Sequence, residues 1–367
     1  MTSEKTMKHR HPWFTALFRK PSSFTYSPPS STQRAFVLAL YSDPFIGEVR
    51  IKPFLNALLI RGVIDGYQVL DRALKPLGPH RSARFTHIWC QRNMSTAQFA
   101  FLRQHAHVPI IYDLDDLLTS APSSILMVKK RTLKRIHWCL EHATAITVAS
   151  EGLASALGED VPSTSGRLLV LKNGCTNVHA PAPSHFRQQL IWTSGAFPFF
   201  LHEDPQFPDK LARFVNAIGF EAILIGRFDE AIQRTFVRCR YIAYLDFPSY
   251  RQFLRAHNGA LAIAPLPSRL APDEQRVFDA KSDIKLVDYL CSGIVPVCSS
   301  AVPYRTSELF LPRLSGSSGD EIIAALERCL KDQEGILQYI HEHIYASGLV
   351  LARQFMALST ALDPLFA

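Results

Sequence analysis

No uninterrupted apolar run in these 367 residues approaches the roughly 18 that a membrane-spanning helix needs. The basic N-terminus is not followed by the apolar core of a signal peptide, so the expectation is a chain retained in the cytoplasm. Cysteine is sparse and scattered: Cys90, Cys139, Cys175, Cys239, Cys291, Cys298 and Cys329 show no paired short spacing. That argues against a zinc site or a disulfide framework and for buried thiols in a reducing compartment. The formal net charge is +8, yet no helix-turn-helix, finger or aromatic RNA-binding signature accompanies it, which ranks nucleic acid last among partners. Anionic lipid and phosphorylated substrates suit the charge better.

What is present is ordinary for a globular chain with a sizeable core: 47% hydrophobic and 20% charged residues, at a length that suggests two domains. Strand-like apolar runs alternate with helical patterns through both halves, which indicates an α/β fold. The runs are Ala35 to Tyr41, Thr86 to Cys90, Val108 to Tyr112, Ala145 to Ala149, Leu168 to Leu171, Leu190 to Gly195, Ala222 to Gly226 and Ala260 to Ala264. Ser42 to Gly47 reads as a loop and Arg50 to Arg61 as a helix. Residues 1–33, rich in Ser, Pro and basic side chains, read as a disordered tail, with Trp13, Phe14, Leu17 and Phe18 either part of that plain tail or a weak membrane contact.

The most informative stretch runs from Phe278 to Val297. Read as one helix, it places Ile284, Leu286, Val287, Leu290 and Cys291 on one side and Lys281, Lys285, Asp288 and Ser292 on the other. Gly293 stops it as a left-handed C′ residue, and Ile294 to Val297 form a short buried strand. A helix N-terminus with free N–H groups, Ser282 and two lysines suits a phosphate, and Asp288 suits a ribose diol. The plain alternative is a solvated face with a Lys285–Asp288 pair.

Two further features carry chemistry. Asp113, Asp115 and Asp116 crowd the end of a strand, where a cation or hydrogen-bond donors must offset their repulsion. They fit a cleft role, a cap on the next helix, or, least well, a metal-diphosphate ligand. Arg92 also ends a strand and either faces the cleft or lies on the surface. In the second half, Ser194-Gly195 ends a strand with a residue that lets backbone approach a ligand closely. Between Leu126 and Leu140 a basic amphipathic helix exposes Lys129, Lys130, Arg131, Lys134 and Arg135, a solvated face or a docking surface for anionic lipid.

The 278–304 segment resembles the donor-site region of GT-B glycosyltransferases, especially retaining enzymes of glycosyltransferase family 4 (glycosyl transferases group 1). Their pattern is Glu, seven residues, Glu, a small residue, Gly and a Val-Pro-Val-like strand. Asp288 stands at the second acid and Ala280 at the first; Lys281-Ser282-Asp283 replaces the usual glycine-rich turn. Tyr112-Asp113-Leu114-Asp115-Asp116, Ser150-Glu151-Gly152-Leu153, Lys172-Asn173-Gly174 and Ser300-Ala301-Val302-Pro303-Tyr304 are similar to other family segments.

The resemblance implies two facing Rossmann-like domains with the donor site in the cleft. Residues 34–180 would form the acceptor domain, 181–187 the linker, 188–345 the nucleotide-sugar domain and 346–367 a helix returning to the first domain. It implies transfer of a sugar from a nucleotide-diphosphate-sugar to an acceptor hydroxyl on a glycan or lipid-linked glycan, as in polysaccharide biosynthesis. Anomeric configuration would be retained, with no metal and no cofactor. Gly195, Lys281, Ser282, Lys285 and Asp288 would bind the donor, and Asp115 and Asp116 would be catalytic. The protein would be cytoplasmic, with peripheral attachment to an anionic membrane face as an added expectation. The alternatives are a non-catalytic sugar-nucleotide or glycan-binding relative and a sugar-nucleotide epimerase.

Overall fold

The computed structural model describes residues 24–27, 34–78, 84–175, 178–181, 185–195, 198–354 and 360–366. Trp13, Phe14, Leu17 and Phe18, most of the 1–33 tail and Ala182-Pro183-Ser184 of the expected linker lie outside the described residues.

In chain order the strands are β1 (Thr25–Tyr26), β2 (Ala35–Leu40), β3 (Ile64–Leu70), β4 (Pro76–Leu77), β5 (Arg84–Phe85), β6 (His87–Gln91), β7 (Ile110–Leu114), β8 (Ala145–Val148) and β9 (Leu168–Val170). They continue with β10 (Gln189–Ser194), β11 (Glu221–Gly226), β12 (Cys239–Ile242), β13 (Leu261–Ala264), β14 (Val295–Ser299) and β15 (Ser315–Gly316). The first large sheet has the order β4-β3-β2-β6-β7-β8-β9, parallel except for the β3–β4 pair. The second has the order β12-β11-β10-β13-β14-β15 and is wholly parallel. Strand order reverses beside β2 in one sheet and beside β10 in the other. Ligands of open α/β sheets sit at the carboxyl ends of the strands at such switch points.

Parallel sheets need both faces covered. In the first, odd-numbered β2 residues Val37 and Ala39 pack with Phe54, Leu55 and Trp89, while Leu38 and Leu40 pack with Ile88, Cys90 and Tyr112 on the opposite face. The second sheet forms one continuous core from Leu190 through Leu326 and beyond. The last described residues return to the first sheet. Leu362 and Phe366 join its core, and Asp363 meets Arg61 at 2.6 Å.

Several elements depart from sequence expectation. Ser42 to Gly47 is not a loop: a helix begins at Pro44, capped by Asp43, whose carboxylate accepts from the Phe45 and Ile46 N–H groups. The edge strand β12 and strand β3 were not expected. Polar Cys239-Arg240-Tyr241 and the Asp65-Gly66 step hide the alternation that marks a strand. Cys239 is exposed on β12, unlike the other six thiols, which are buried as expected.

The largest departure is in the stretch that seemed to be one helix. Pro272–Asp279 and Ile284–Cys291 are separate helices joined by a turn at residues 280–283. Lys281 and Ser282 therefore lie on the turn, not in a row with Lys285 and Asp288. Gly293 does adopt the left-handed conformation, with φ 71°, and a Cβ there would meet the Asn258 side chain at 2.1 Å.

Candidate functional site

The site is built from strand ends. β7 delivers Asp113, Asp115 and Asp116, but the three carboxylates have different fates. Asp113 is fully buried. Its Oδ1 lies 2.8 Å from Arg50 Nη2 and accepts from the Thr147 hydroxyl at 2.7 Å. Arg50 also donates to the Leu171 carbonyl and, at 3.3 Å, to Asn173 Oδ1, so the pair fixes the Lys172-Asn173-Gly174 turn. A buried pair of this kind is held by mutual compensation, and loss of one partner strands the other charge.

Asp115 and Asp116 turn the other way and meet Arg92. That arginine follows β6 with φ 44°, a sparsely populated conformation for a side-chain-bearing residue. Its N–H donates to the Asp113 carbonyl, and its own carbonyl accepts from the Tyr112 hydroxyl. Held there, its guanidinium lies 3.0 Å from Asp115 and 2.5 Å from Asp116. Burial, with Asp116 and Asp113 nearby, pushes the Asp115 carboxyl up to about 6 against the pull of Arg92. For Asp116 burial also pushes upward, but Lys281 and Arg92 together outweigh it and hold the carboxyl below its ordinary value.

Lys281 comes from the second half of the chain. Its Nζ lies 2.5 Å from Asp116 Oδ1. The turn that carries it is gripped by the first half. Ser150 Oγ donates to the Ala280 carbonyl at 2.8 Å, and Asn173 Nδ2 donates to Ser282 Oγ at 2.7 Å. Gly152 lies so near the Asp279 carbonyl that a Cβ would stand 2.5 Å from it. Arg353, buried and distant in sequence, ties the Asn173 carbonyl to Asp283 at 3.0 and 2.5 Å. These contacts explain the break in the expected helix: the first half holds the 280–283 backbone in place.

Beyond the turn, Lys285 Nζ donates to the Thr193 hydroxyl at the end of β10, and that hydroxyl also bonds Tyr289 at 2.7 Å. Among the described residues no carboxylate lies within ion-pair distance of Lys285. Burial pulls its amine below the ordinary value, partly offset by Asp288. Asp288 itself is 6% exposed; Arg251 donates to it at 3.0 Å and Tyr250 at 3.3 Å. Burial pushes its carboxyl up, with Arg251 and Lys285 pulling back. Gly195 follows Thr193 and Ser194, and a Cβ on it would meet nothing within 4 Å, so it faces open space. Beside it, Gly226 at φ 108° allows β11 to end against the Ser194 carbonyl, 1.9 Å from where a Cβ would be.

The fold thus brings Asp115, Asp116, Lys281 and Ser282 together in one cluster. It sets Lys285 and Asp288 on the helix Ile284–Cys291, with Lys285 against Thr193 near the end of β10, two residues before Gly195. Sequence reasoning did not single out Arg50, Asn173 as a partner of Ser282, Tyr250, Arg251 or Arg353. The signal available was an arginine inside an apolar helical pattern, as in Leu349-Val350-Leu351-Ala352-Arg353, which asks for a buried acid elsewhere. Among the described residues no group of three or more His, Cys, Asp or Glu side chains is placed to hold a metal ion. No described helix is long and apolar enough to cross a membrane.

No protein-family model and no curated protein matches the chain. Solved structures do match it. An alpha-glucosyltransferase in complex with UDP superposes with a TM-score of 0.57 at 9% identity, covering 88% of this chain and 99% of that one. T4 phage BGT in complex with UDP-glucose gives 0.53 at 10% identity, covering 90% and 99%. A Listeria monocytogenes chain assigned as a UDP-N-acetylglucosamine 2-epimerase gives 0.51 at 11%, covering 88% and 94%. These neighbours share the two-domain GT-B architecture, and the fold expected from sequence is the one found.

Proposed function

We propose that this GT-B chain is a glycosyltransferase that moves a sugar from a nucleotide-diphosphate-sugar to an acceptor hydroxyl. The observation that carries the reading is Lys285. A half-buried ammonium, at the N-terminal end of a helix and beside the carboxyl end of β10, has no described carboxylate within ion-pair distance. Such a group calls for an anion from outside the chain. The alpha-glucosyltransferase neighbour was solved with UDP, a ligand of that chemistry.

In this reading Lys285, Lys281, the Ser282 hydroxyl and the helix N-terminus hold the diphosphate, and Gly195 lets it approach β10. Asp288 holds the ribose with the lone pairs that Arg251 and Tyr250 leave free. As the bond from the anomeric carbon to the phosphate oxygen breaks, negative charge grows on the diphosphate, and the lysines stabilise it without a metal. The acceptor oxygen bonds to the same carbon, its proton leaving to Asp115, Asp116 or the departing diphosphate. Attack from the leaving-group side would retain configuration. The acceptor is a glycan or lipid-linked glycan, reached by peripheral contact of the basic 129–135 face with an anionic membrane.

The epimerase neighbour supports a second reading, in which the same donor site rearranges a sugar nucleotide. A binder without turnover is the third. Titration with UDP, GDP, ADP and CMP, with and without EDTA, tests the site, and a donor-turnover assay separates the readings. We expect metal-independent binding of one diphosphate, weakened in Lys281→Ala and Asp288→Ala, together with transfer to added acceptor. Epimerised donor supports the second reading, and binding without any turnover the third. Binding to none of the four by folded protein overturns all three.

A further inference from the structure

The two amines assigned to the diphosphate are in different states. Among the described residues Lys285 bonds to hydroxyl oxygen alone, whereas Lys281 is already neutralised by Asp116 at 2.5 Å. The second oxygen of Asp116 lies 2.5 Å from Arg92 Nη2. A carboxylate that takes hydrogen bonds from a lysine and an arginine satisfies them much as a phosphate oxygen does. Asp116 reaches Lys281 from the first half of the chain. It therefore stands between the acceptor side, where Asp115 lies, and the donor side.

The backbone under Lys281 is fixed. Asn173 holds Ser282, Ser150 holds the Ala280 carbonyl, and Arg353 holds Asp283. The side chain is not fixed in the same way: it is 29% exposed and pairs with Asp116.

We infer that Asp116 is an internal counter-ion that the donor diphosphate displaces from Lys281, so that donor binding and the release of Asp116 toward the acceptor hydroxyl are one event. The inference rests on the proposed donor site and adds an order to it. Before donor arrives, Asp116 is bound on both oxygens and is a poor proton acceptor. Once Lys281 turns to phosphate, Asp116 keeps Arg92 alone and becomes a better one. Acceptor activation then follows donor binding, which limits attack by water or acceptor on an incomplete site. The same arrangement imposes a penalty on donor affinity, because part of the attraction of Lys281 is already satisfied.

The test is a double-mutant cycle on the full chain. Dissociation constants are measured by calorimetry for whichever of UDP, GDP, ADP and CMP the wild type binds. The variants are Asp116→Asn, Lys281→Ala, their combination and Asp115→Asn, each checked by circular dichroism and a cooperative unfolding transition for an intact fold. Asp116→Ser serves where Asp116→Asn fails to fold. Loss of the competitor should tighten nucleotide binding about tenfold in Asp116→Asn, while Lys281→Ala weakens it by at least about tenfold. In the Lys281→Ala background the Asp116 substitution should give no gain, because the interaction it relieves is gone. Asp115→Asn should not reproduce the tightening.

Unchanged or weaker binding in Asp116→Asn, with Lys281→Ala still impaired, overturns the displacement and leaves the donor site standing. So does equal tightening with and without Lys281, which would reflect a general field and not the pair. Binding of none of the nucleotides by folded wild type removes the donor site and the inference together.

Discussion

Lys285→Met should make the protein more stable and a worse nucleotide binder at once. Three terms set the stability change. Burial disfavours the ammonium, as the lowering of its proton affinity reflects. The positive end of the helix Ile284–Cys291 opposes a cation by about 0.3–1 kcal/mol. Against these stands the hydrogen bond to Thr193, worth about 1 kcal/mol. Thr193 keeps Tyr289 as a partner at 2.7 Å, so its hydroxyl is not orphaned by the substitution. Releasing a partly buried charge adds about 1–2 kcal/mol, for a net gain of about 1 kcal/mol at neutral pH. Binding loses a charge-assisted contact, about 1.5–3 kcal/mol.

The pH dependence carries a sign. With the folded amine below its ordinary 10.5, the native state binds fewer protons than the unfolded chain between the folded value and 10.5. Wild-type stability from this group therefore rises with pH through that window, and the methionine variant lacks the rise. Urea unfolding at neutral and alkaline pH, beside nucleotide calorimetry, reads both quantities. A variant that is destabilised by about 1 kcal/mol or more while binding nucleotide normally would refute the reasoning. Lys285 would then be a strut for Thr193 and not a ligand-binding cation.

Two other outcomes follow from the same structure. Burial pushes the Asp115 carboxyl up to about 6 from its ordinary 3.8, so its ionised form opposes folding at pH 7.5. Asp115→Asn should gain up to about 3 kcal/mol there, an advantage that shrinks as pH falls through 6 and vanishes below about 4; an identical gain in urea unfolding at pH 7.5 and 4 would contradict this. Exposed Lys129, Lys130, Arg131 and Lys134 should draw the protein onto anionic vesicles, with about 1 kcal/mol lost for each glutamine replacement and release by salt; cosedimentation indifferent to both would remove the membrane contact.

Much of the fold was legible in the chain itself because it depends on neighbours within a few residues. Alternating apolar runs and helical spacing marked most of both sheets, and the turn at Gly293 followed from the one residue type that takes positive φ without strain. The grouping of Asp113, Asp115 and Asp116 at a strand end was equally local. Even the unexpected helix at Pro44 had its signal in Asp43-Pro44, an acid cap followed by proline.

Tertiary structure alone decided what each charge does. Nothing within reach of local periodicity separates Asp113 from its neighbours; Arg50, 63 residues away, makes it structural. Asp288 is bound by Arg251 and Tyr250 from another helix, and Lys281 by Asp116, 165 residues distant. The helix through residues 278–292 was a sound reading of its own spacing, and it fails because Ser150, Gly152 and Asn173 of the first half of the chain hold residues 279–282 by direct contact. Local sequence fixes where a helix or strand is favoured. Which buried ion finds which counter-ion depends on the packing that brings distant segments within 3 Å, where desolvation leaves each charge dependent on a partner.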